Sequence, residues 1–431
     1  MAIFFLFLFI ITALIAKKTN YTIFCEPLFW LGLFWILVIG VYLTAGVRYK
    51  YGFSIASVSF IIVCVLSLLS GRRYGGKLKT RVFYNEETKA NLSLYLLLGL
   101  FGTLLFIWDY IHLNGITETK GDTTSSISLI GSIGSLFTPI LLLLGLYYNA
   151  KNIKQKGSFS IFGIILVFCY SIPCMISAGR ESILYGLIGV ACIYGYNLLL
   201  EKRRKQEGKL LNKSSTRKVL LIVFSITIIL FFGYTMLQIS MNRFTSTEIN
   251  ILLSTSDVSS DAMKEAAKWG DFEFLYYNIA SYFSQQIPFL DFTLKEYHGP
   301  YLFGLYELNI VSRRLPDFLG LDYRQVFDEL KRLFSNCGED FGNGWNTVLG
   351  SFITDFTWIG TIPACWLCGF ALGKIKRKFY VTLDIRYITL IALLCLSAFS
   401  TIQLGPFFQV QIYGTYIWWF IIFRKEERLL I

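Results

Sequence analysis

The sequence predicts an all-α polytopic integral membrane protein of about eleven transmembrane helices, with one long, folded, helical outer loop. Three observations carry that prediction. The 431-residue chain is 55% apolar and 17% aromatic but only 16% charged, whereas a soluble domain carries about a quarter charged residues. Its mean hydropathy is +0.55. Its charges fall in short bursts between apolar stretches of roughly 15–25 residues, the length at which a helix crosses a bilayer.

Taken in order, the candidate spans cover 2–16, 27–46, 53–70, 92–109, 126–149, 159–178, 182–200, 219–238, 345–372, 387–401 and 406–423. The first is short, and it lacks a basic leader and a small-residue cleavage site, so it reads as a span and not as a removed signal peptide. Spans 126–149 and 345–372 are long enough to tilt. Pro139, Pro173 and Pro363 fall inside spans, where a kink is tolerated if neighbours satisfy the freed carbonyl. The apolar run 159–200 is interrupted only by Ser177-Ala178-Gly179-Arg180-Glu181-Ser182. Two spans joined by a charged turn give this pattern, and an ionisable pair placed there is a candidate functional site.

The rest forms a single membrane domain, 1–431, interrupted by the outer loop 239–344, which is too long for a mere connector. Within the loop, 260–269 reads as a short helix capped by Ser260. Residues 271–287 read as an amphipathic helix lying on or dipping into the interface, ended by Pro288. Residues 322–336 read as a helix capped by Asp322 and stopped at Cys337-Gly338. Roughly two-thirds of the 40 Lys and Arg residues lie in alternate connections, including the dense run 202–218, which makes that side cytoplasmic and puts the C-terminus inside. The N-terminus is then outside, although Arg48 and Lys50 oppose this locally.

The net charge of +12 follows from this bias and requires no nucleic acid. The run 202–218 is also able to attract anionic lipid. Eight of the nine cysteines lie in or beside spans and only Cys337 lies in the loop, so no disulfide framework follows. Cys365 and Cys368 have C-x-x-C spacing but sit inside a span, where sulfurs pack. Two histidines make a His-based metal site improbable. P-loop, G-x-G-x-x-G, H-E-x-x-H and G-x-S-x-G patterns are absent. The outer side instead offers Arg180, Arg243, Arg313, Arg314, Arg324, His298, Glu181, Asp271, Asp291 and Asp355. Arginine grips phosphate bidentately and stays protonated, so such groups suit a pyrophosphate-bearing lipid headgroup. Blander readings stand beside these: Arg180 snorkelling and pairing with Glu181, Arg313 and Arg314 as solvated residues, His298 as a turn residue before Gly299-Pro300. Asp355 lies deep in an apolar run, where a polar role in function or helix packing is expected.

The chain resembles the bacterial O-antigen polymerases, the oligosaccharide repeat-unit polymerases. Four features carry the resemblance: the short first span followed by Glu26-Pro27 and the aromatic run to Trp35; Ser177 to Ser182 in an outer turn; a late outer loop with Tyr297-His298-Gly299-Pro300-Tyr301-Leu302-Phe303-Gly304 and Arg313-Arg314; and Gly344-Trp345-Asn346-Thr347, then Asp355-Phe356 and Gly360, similar to the family's N-x-x-T…D-F-x-x-x-G. Asn343 competes with Asn346 for the first of these positions.

The resemblance implies the multi-spanning lipid-linked glycosyltransferase architecture in a bacterial inner membrane, with the active side periplasmic. A growing glycan would pass from undecaprenyl diphosphate to the next lipid-linked repeat unit, within membrane lipid and without cofactor or metal. Arg180 and Arg314, with Arg313 and Arg243 as substitutes, would stabilise the diphosphate leaving group. His298 or Asp355 would take the acceptor proton, Glu181 would orient Arg180, and Asn346 would contact substrate. A polysaccharide chain-length regulator is left open as a partner. Rival readings are an O-antigen ligase, which complementation separates; a flippase or transporter, which predicts internal repeats and short loops; and a structural subunit of an envelope complex.

Overall fold

The computed structural model describes residues 2–19, 21–49, 52–79, 81–83, 91–114, 129–176, 181–207, 257–270, 273–299, 301–304, 306, 347–402, 410–423 and 427–429. The protein is mostly helical. Six helices are long and apolar enough to cross a membrane, by length and composition, which fits an all-α membrane protein. The sequence-predicted span 219–238 and helix 322–336 lie outside the described residues. The chain forms two compact units, one of residues 1–90 and 249–431, the other of 91–248.

The first unit begins with α1 (Ala2–Lys18), a 3-10 turn (Thr22–Cys25), α2 (Pro27–Thr44) and α3 (Ile55–Gly75). The Ser54 hydroxyl accepts from the Ser57 amide and opens α3 in a reciprocal cap. In the later part of the chain the unit adds α9 (Ser260–Ala267), α10 (Glu273–Ser284), α11 (Gln286–Glu296), α12 (Val348–Thr382), α13 (Ile385–Ser400) and α14 (Val410–Phe423). Its backbone is tied at two ends. At one, β1 (Val47–Arg48) pairs antiparallel with β3 (Asp257–Val258), and the Val348 amide donates to Thr401 O at 2.9 Å. At the other, β2 (Arg81–Phe83) pairs with β4 (Glu427–Leu429). There Glu26 meets Arg72 at 3.1 Å and also Lys376, while Arg377 donates to Gly76 O.

Helices α3 and α12 touch backbone to backbone. A Cβ on Gly71 would stand 2.1 Å from Trp366 O, and one on Gly373 would stand 2.1 Å from Arg72 O. Gly75 and Gly369 repeat the contact, so each helix contributes a G-x-x-x-G stripe. Further packing comes from α11 and the residues that follow it: Phe289, Leu290, Phe292, Leu302 and Tyr306 share a core with Phe60 and Phe352.

The second unit contains α4 (Leu92–Asn114), α5 (Leu129–Phe137), α6 (Pro139–Lys156), α7 (Ile161–Ile176) and α8 (Glu181–Gln206). Gly99 lies against Ile140 and Leu141, and Gly134 against Gly102 and Phe106, so α4 runs antiparallel to α5 and α6. Gly145 and Gly163 bring α6 against α7 in the same way.

Several expectations change. The span predicted at 126–149 corresponds to one candidate span, Ile130–Lys156, interrupted between α5 and α6 because Pro139 opens α6 at its first position and offers no amide of its own. Helix α12 runs to Thr382, beyond the expected end at 372, since Lys374 to Lys378 are good helix formers and nothing stops the helix until Leu383 turns left-handed (φ 48°). The cap of α9 is Ser259, not Ser260. Pro288 does not end the helix over 271–287; the break falls at Gln285, and Pro288 sits in the first turn of α11, where its missing amide leaves no bond unmade. In α11, Gln286 through Thr293 are all buried.

Candidate functional site

The sequence places its most persistent polar signals at the β1–β3 end of the first unit, where α11 and the segment that follows it enter the bundle. The Asp291 side chain on α11 is 1% exposed. It accepts from the Ser54 hydroxyl, from Gly52 N at 3.4 Å and from Lys295 Nζ at 2.8 Å. A buried carboxylate is tolerable when its lone pairs are filled in this way, and here it fixes α11 to the start of α3. Tyr49 and Ser284 hydroxyls meet at 2.6 Å, and the Tyr276 hydroxyl donates to Ala45 O at 3.0 Å. Burial, and then the Glu265 carboxylate, push the Tyr276 pKa up and keep it a donor.

After Tyr297 the chain turns through Gly299 (φ +107°) and runs along α12. Leu302 N donates to Thr354 O (3.4 Å), Phe303 N to Asp355 O (2.9 Å) and Tyr306 N to Asp355 Oδ1 (2.9 Å). These acceptors exist because α12 breaks. Thr357 takes φ 69° and ψ 168°, a region nearly exclusive to glycine that costs a threonine about 1–3 kcal/mol. The break frees carbonyls that a continuous helix would fill from Trp358 and Ile359. Beyond it, Thr357 Oγ1 accepts from Gly360 N at 3.2 Å and so caps the second half-helix. Phe303 is itself left-handed (φ 52°) and its side chain is 83% exposed.

Two sequence-predicted site residues belong to this node. Asp355 is fully buried, with its carboxylate on the Tyr306 amide. His298 is exposed, just after α11. Of the others, Glu181 opens α8 in the second unit. Arg180, Arg243, Arg313, Arg314 and Asn346 lie outside the described residues. Among the described residues no cluster of three or more His, Cys, Asp or Glu side chains could hold a metal ion. Cys365 is buried and Cys368 exposed, so the C-x-x-C pair faces two ways along α12.

Sequence reasoning missed two things here. Nothing marked Thr357 as a break. Asp109, 3% exposed on α4, stands at the end of the apolar run 92–109, where a carboxylate carries no signal in the sequence. Its end of the second unit also buries Thr103 and Thr138, with hydroxyls 3.5 Å apart, and Ser171 on Ser182 O. Comparison with protein-family models, with curated proteins and with solved structures finds no match.

Proposed function

We propose that this chain is a membrane glycosyltransferase that polymerises undecaprenyl-diphosphate-linked oligosaccharide repeat units into O-antigen or a related surface polysaccharide. One observation carries the reading. Two motif segments that the resemblance selects, Tyr297–Gly304 and Asp355–Gly360, meet at the hydrogen bond from Phe303 N to Asp355 O (2.9 Å), with the flanking bonds from Leu302 N to Thr354 O and from Tyr306 N to Asp355 Oδ1 beside it. In this reading the β1–β3 end faces the periplasm, and the end with Arg72, Lys376 and Arg377 faces the cytoplasm, in keeping with positive-inside bias. The membrane is then the bacterial inner membrane, crossed about eleven times.

The acceptor hydroxyl oxygen attacks the anomeric carbon of the lipid-linked glycan. A C–O bond forms there as the bond to the carrier diphosphate breaks, and the acceptor proton passes to a base. Arg180 and Arg314, supported by Arg313 and Arg243, meet the charge on the departing diphosphate. Glu181 orients Arg180, and Asn346 contacts substrate. Of the two base candidates the geometry favours His298, because it is exposed whereas Asp355 is spent on holding the loop.

The test is deletion of the gene in its native strain, followed by gel analysis of the surface polysaccharide. A lost ladder that leaves core plus one repeat unit supports polymerisation, and Arg180→Lys and Arg314→Lys should then each shorten or abolish the ladder on complementation. If both restore full ladders, the arginine roles are wrong. Loss of all glycan-bearing lipid points instead to the ligase or to a flippase, for which the discontinuous α12 is the favouring observation.

A further inference from the structure

The break in α12 has no local cause. The residues around it are Asp355, Phe356, Thr357, Trp358 and Ile359, with no proline or glycine among them. Pro363 is too far along: its ring crowds the carbonyl of Ile359, not that of Thr357. What holds the break open is the segment 301–306, whose amides occupy the carbonyls of Thr354 and Asp355 and the Asp355 carboxylate. Strain sits on both partners, at Phe303 in the segment and at Thr357 in the helix. Such conformations persist only where their surroundings impose them. The segment is also built to move as a flap. Gly299 (φ +107°) precedes it and Gly304 (φ +97°) lies within it, and α11, held through Asp291, anchors the side before it. Leu302 and Tyr306 point into the core, at 4% and 1% exposure, while Phe303 stands clear of it.

We propose that α12 is a two-state helix, broken while the segment 301–306 is docked and continuous when it lifts, and that lifting uncovers the Asp355 carboxylate. In the docked state the left-handed strain and the broken helical hydrogen bonds are offset by the segment's three amide bonds and its two apolar anchors. In the lifted state Trp358 and Ile359 amides regain their helical acceptors, both strained residues relax, and Asp355 faces the space the segment has left. The inference rests on the proposed function for the identity of the molecule that lifts the segment, a lipid-linked oligosaccharide whose hydroxyls replace the Tyr306 amide on Asp355. It connects the outer surface to the opposite end of the unit, because one helix carries both the break and the Lys374–Lys378 tail.

The equilibrium itself is measurable without substrate, by hydrogen exchange and mass spectrometry on the full chain in nanodiscs. The reporters are peptides covering 301–306 and 352–360. Thr357→Gly removes the strain of the broken state and weakens the continuous helix, so exchange in both peptides should slow by about tenfold. Thr357→Ala removes the cap on Gly360 and favours the continuous helix, so exchange in 301–306 should quicken by about fivefold. Gly32→Ala, a site with open space around it, should leave both peptides unchanged. Opposite shifts for the two Thr357 variants support the two-state helix. Shifts in the same direction, or none beyond twofold, overturn it. Exchange that ignores both variants in a protein whose deletion abolishes the ladder sinks this inference alone. Opposite shifts in a protein whose deletion leaves the ladder intact sink the functional reading alone.

Discussion

At the scale of single residues, Asp355 shows how a buried carboxylate can be conspicuous in the sequence while its partner is not. It was conspicuous in the sequence because a carboxylate deep in an apolar run needs a reason. The reason the structure supplies is a backbone amide, Tyr306 N, together with a helix break that leaves carbonyls to be filled. That partner is 49 residues away in the chain, so no local pattern could have named it. The same holds for Asp291, whose donors come from Ser54 and Gly52. The assignment makes a sharp comparison possible. Asp355→Asn keeps an acceptor oxygen for Tyr306 and should cost under about 1 kcal/mol, whereas Asp355→Ala strands a buried amide and should cost about 1–3 kcal/mol, read as a drop in thermal midpoint of the purified protein. His298→Gln should leave the midpoint within a degree or so, since exposed substitutions rarely matter to stability, but should weaken the polysaccharide ladder in complemented cells. A ladder lost in Asp355→Asn at normal stability would mean that the carboxylate does chemistry beyond holding the loop.

At the scale of elements, apolar runs located the helices, and glycine spacing governed how two of them meet. Span lengths were legible because a run of uncharged residues has to end near the bilayer surface. The true length of α12 was not, because its last turns carry Lys374, Lys376, Arg377 and Lys378 and continue as helix outside any apolar run. At 35 residues it is about 52 Å long at 1.5 Å per residue, well beyond the ~30 Å of hydrocarbon. The contact between α3 and α12 was present in the sequence as Gly71-x-x-x-Gly75 and Gly369-x-x-x-Gly373, a signal for close helix approach in membranes that composition and hydropathy do not weigh. A side chain at Gly373 would meet the backbone of Arg72, which cannot rotate away. Gly373→Leu should therefore destabilise by at least ~1–3 kcal/mol, seen as loss of the monodisperse peak in size-exclusion chromatography. Gly32→Ala, with no atom within 4 Å, is the control and should elute as the parent does. Equal behaviour of the two would mean that the helices do not meet at these glycines.

At the scale of the whole molecule, the backbone pairings restrict how the chain can cross a bilayer. Residues 47–48 share a sheet with 257–258, and 81–83 share one with 427–429. Helix α3 separates the first sheet from the second, so the two sheets lie on opposite faces if α3 spans. The chain then leaves residue 83 on one face and reaches residue 257 on the other, which requires an odd number of crossings. The elements α4, α5 with α6, α7 and α8 provide an even number. A crossing by the apolar stretch 219–238, proposed from its composition, would make the number odd. Lys and Arg bias, with 219–238 counted as a span, proposes the cytoplasm for the face of residues 81–83 and 427–429. Single cysteines make the arrangement testable. In a background with Cys337→Ser, since Cys337 falls in the predicted outer loop, and Cys368→Ser, since Cys368 is the exposed thiol among the described cysteines, Lys264→Cys should react with a membrane-impermeant maleimide in intact spheroplasts. Lys77→Cys, also exposed, should react only after permeabilisation. Labelling of both from the same side would break the parity argument and remove 219–238 as a crossing. Labelling on opposite sides but exchanged would keep the crossings and invert the protein, moving the Asp355 node to the cytoplasmic face and ending the case for periplasmic glycan assembly.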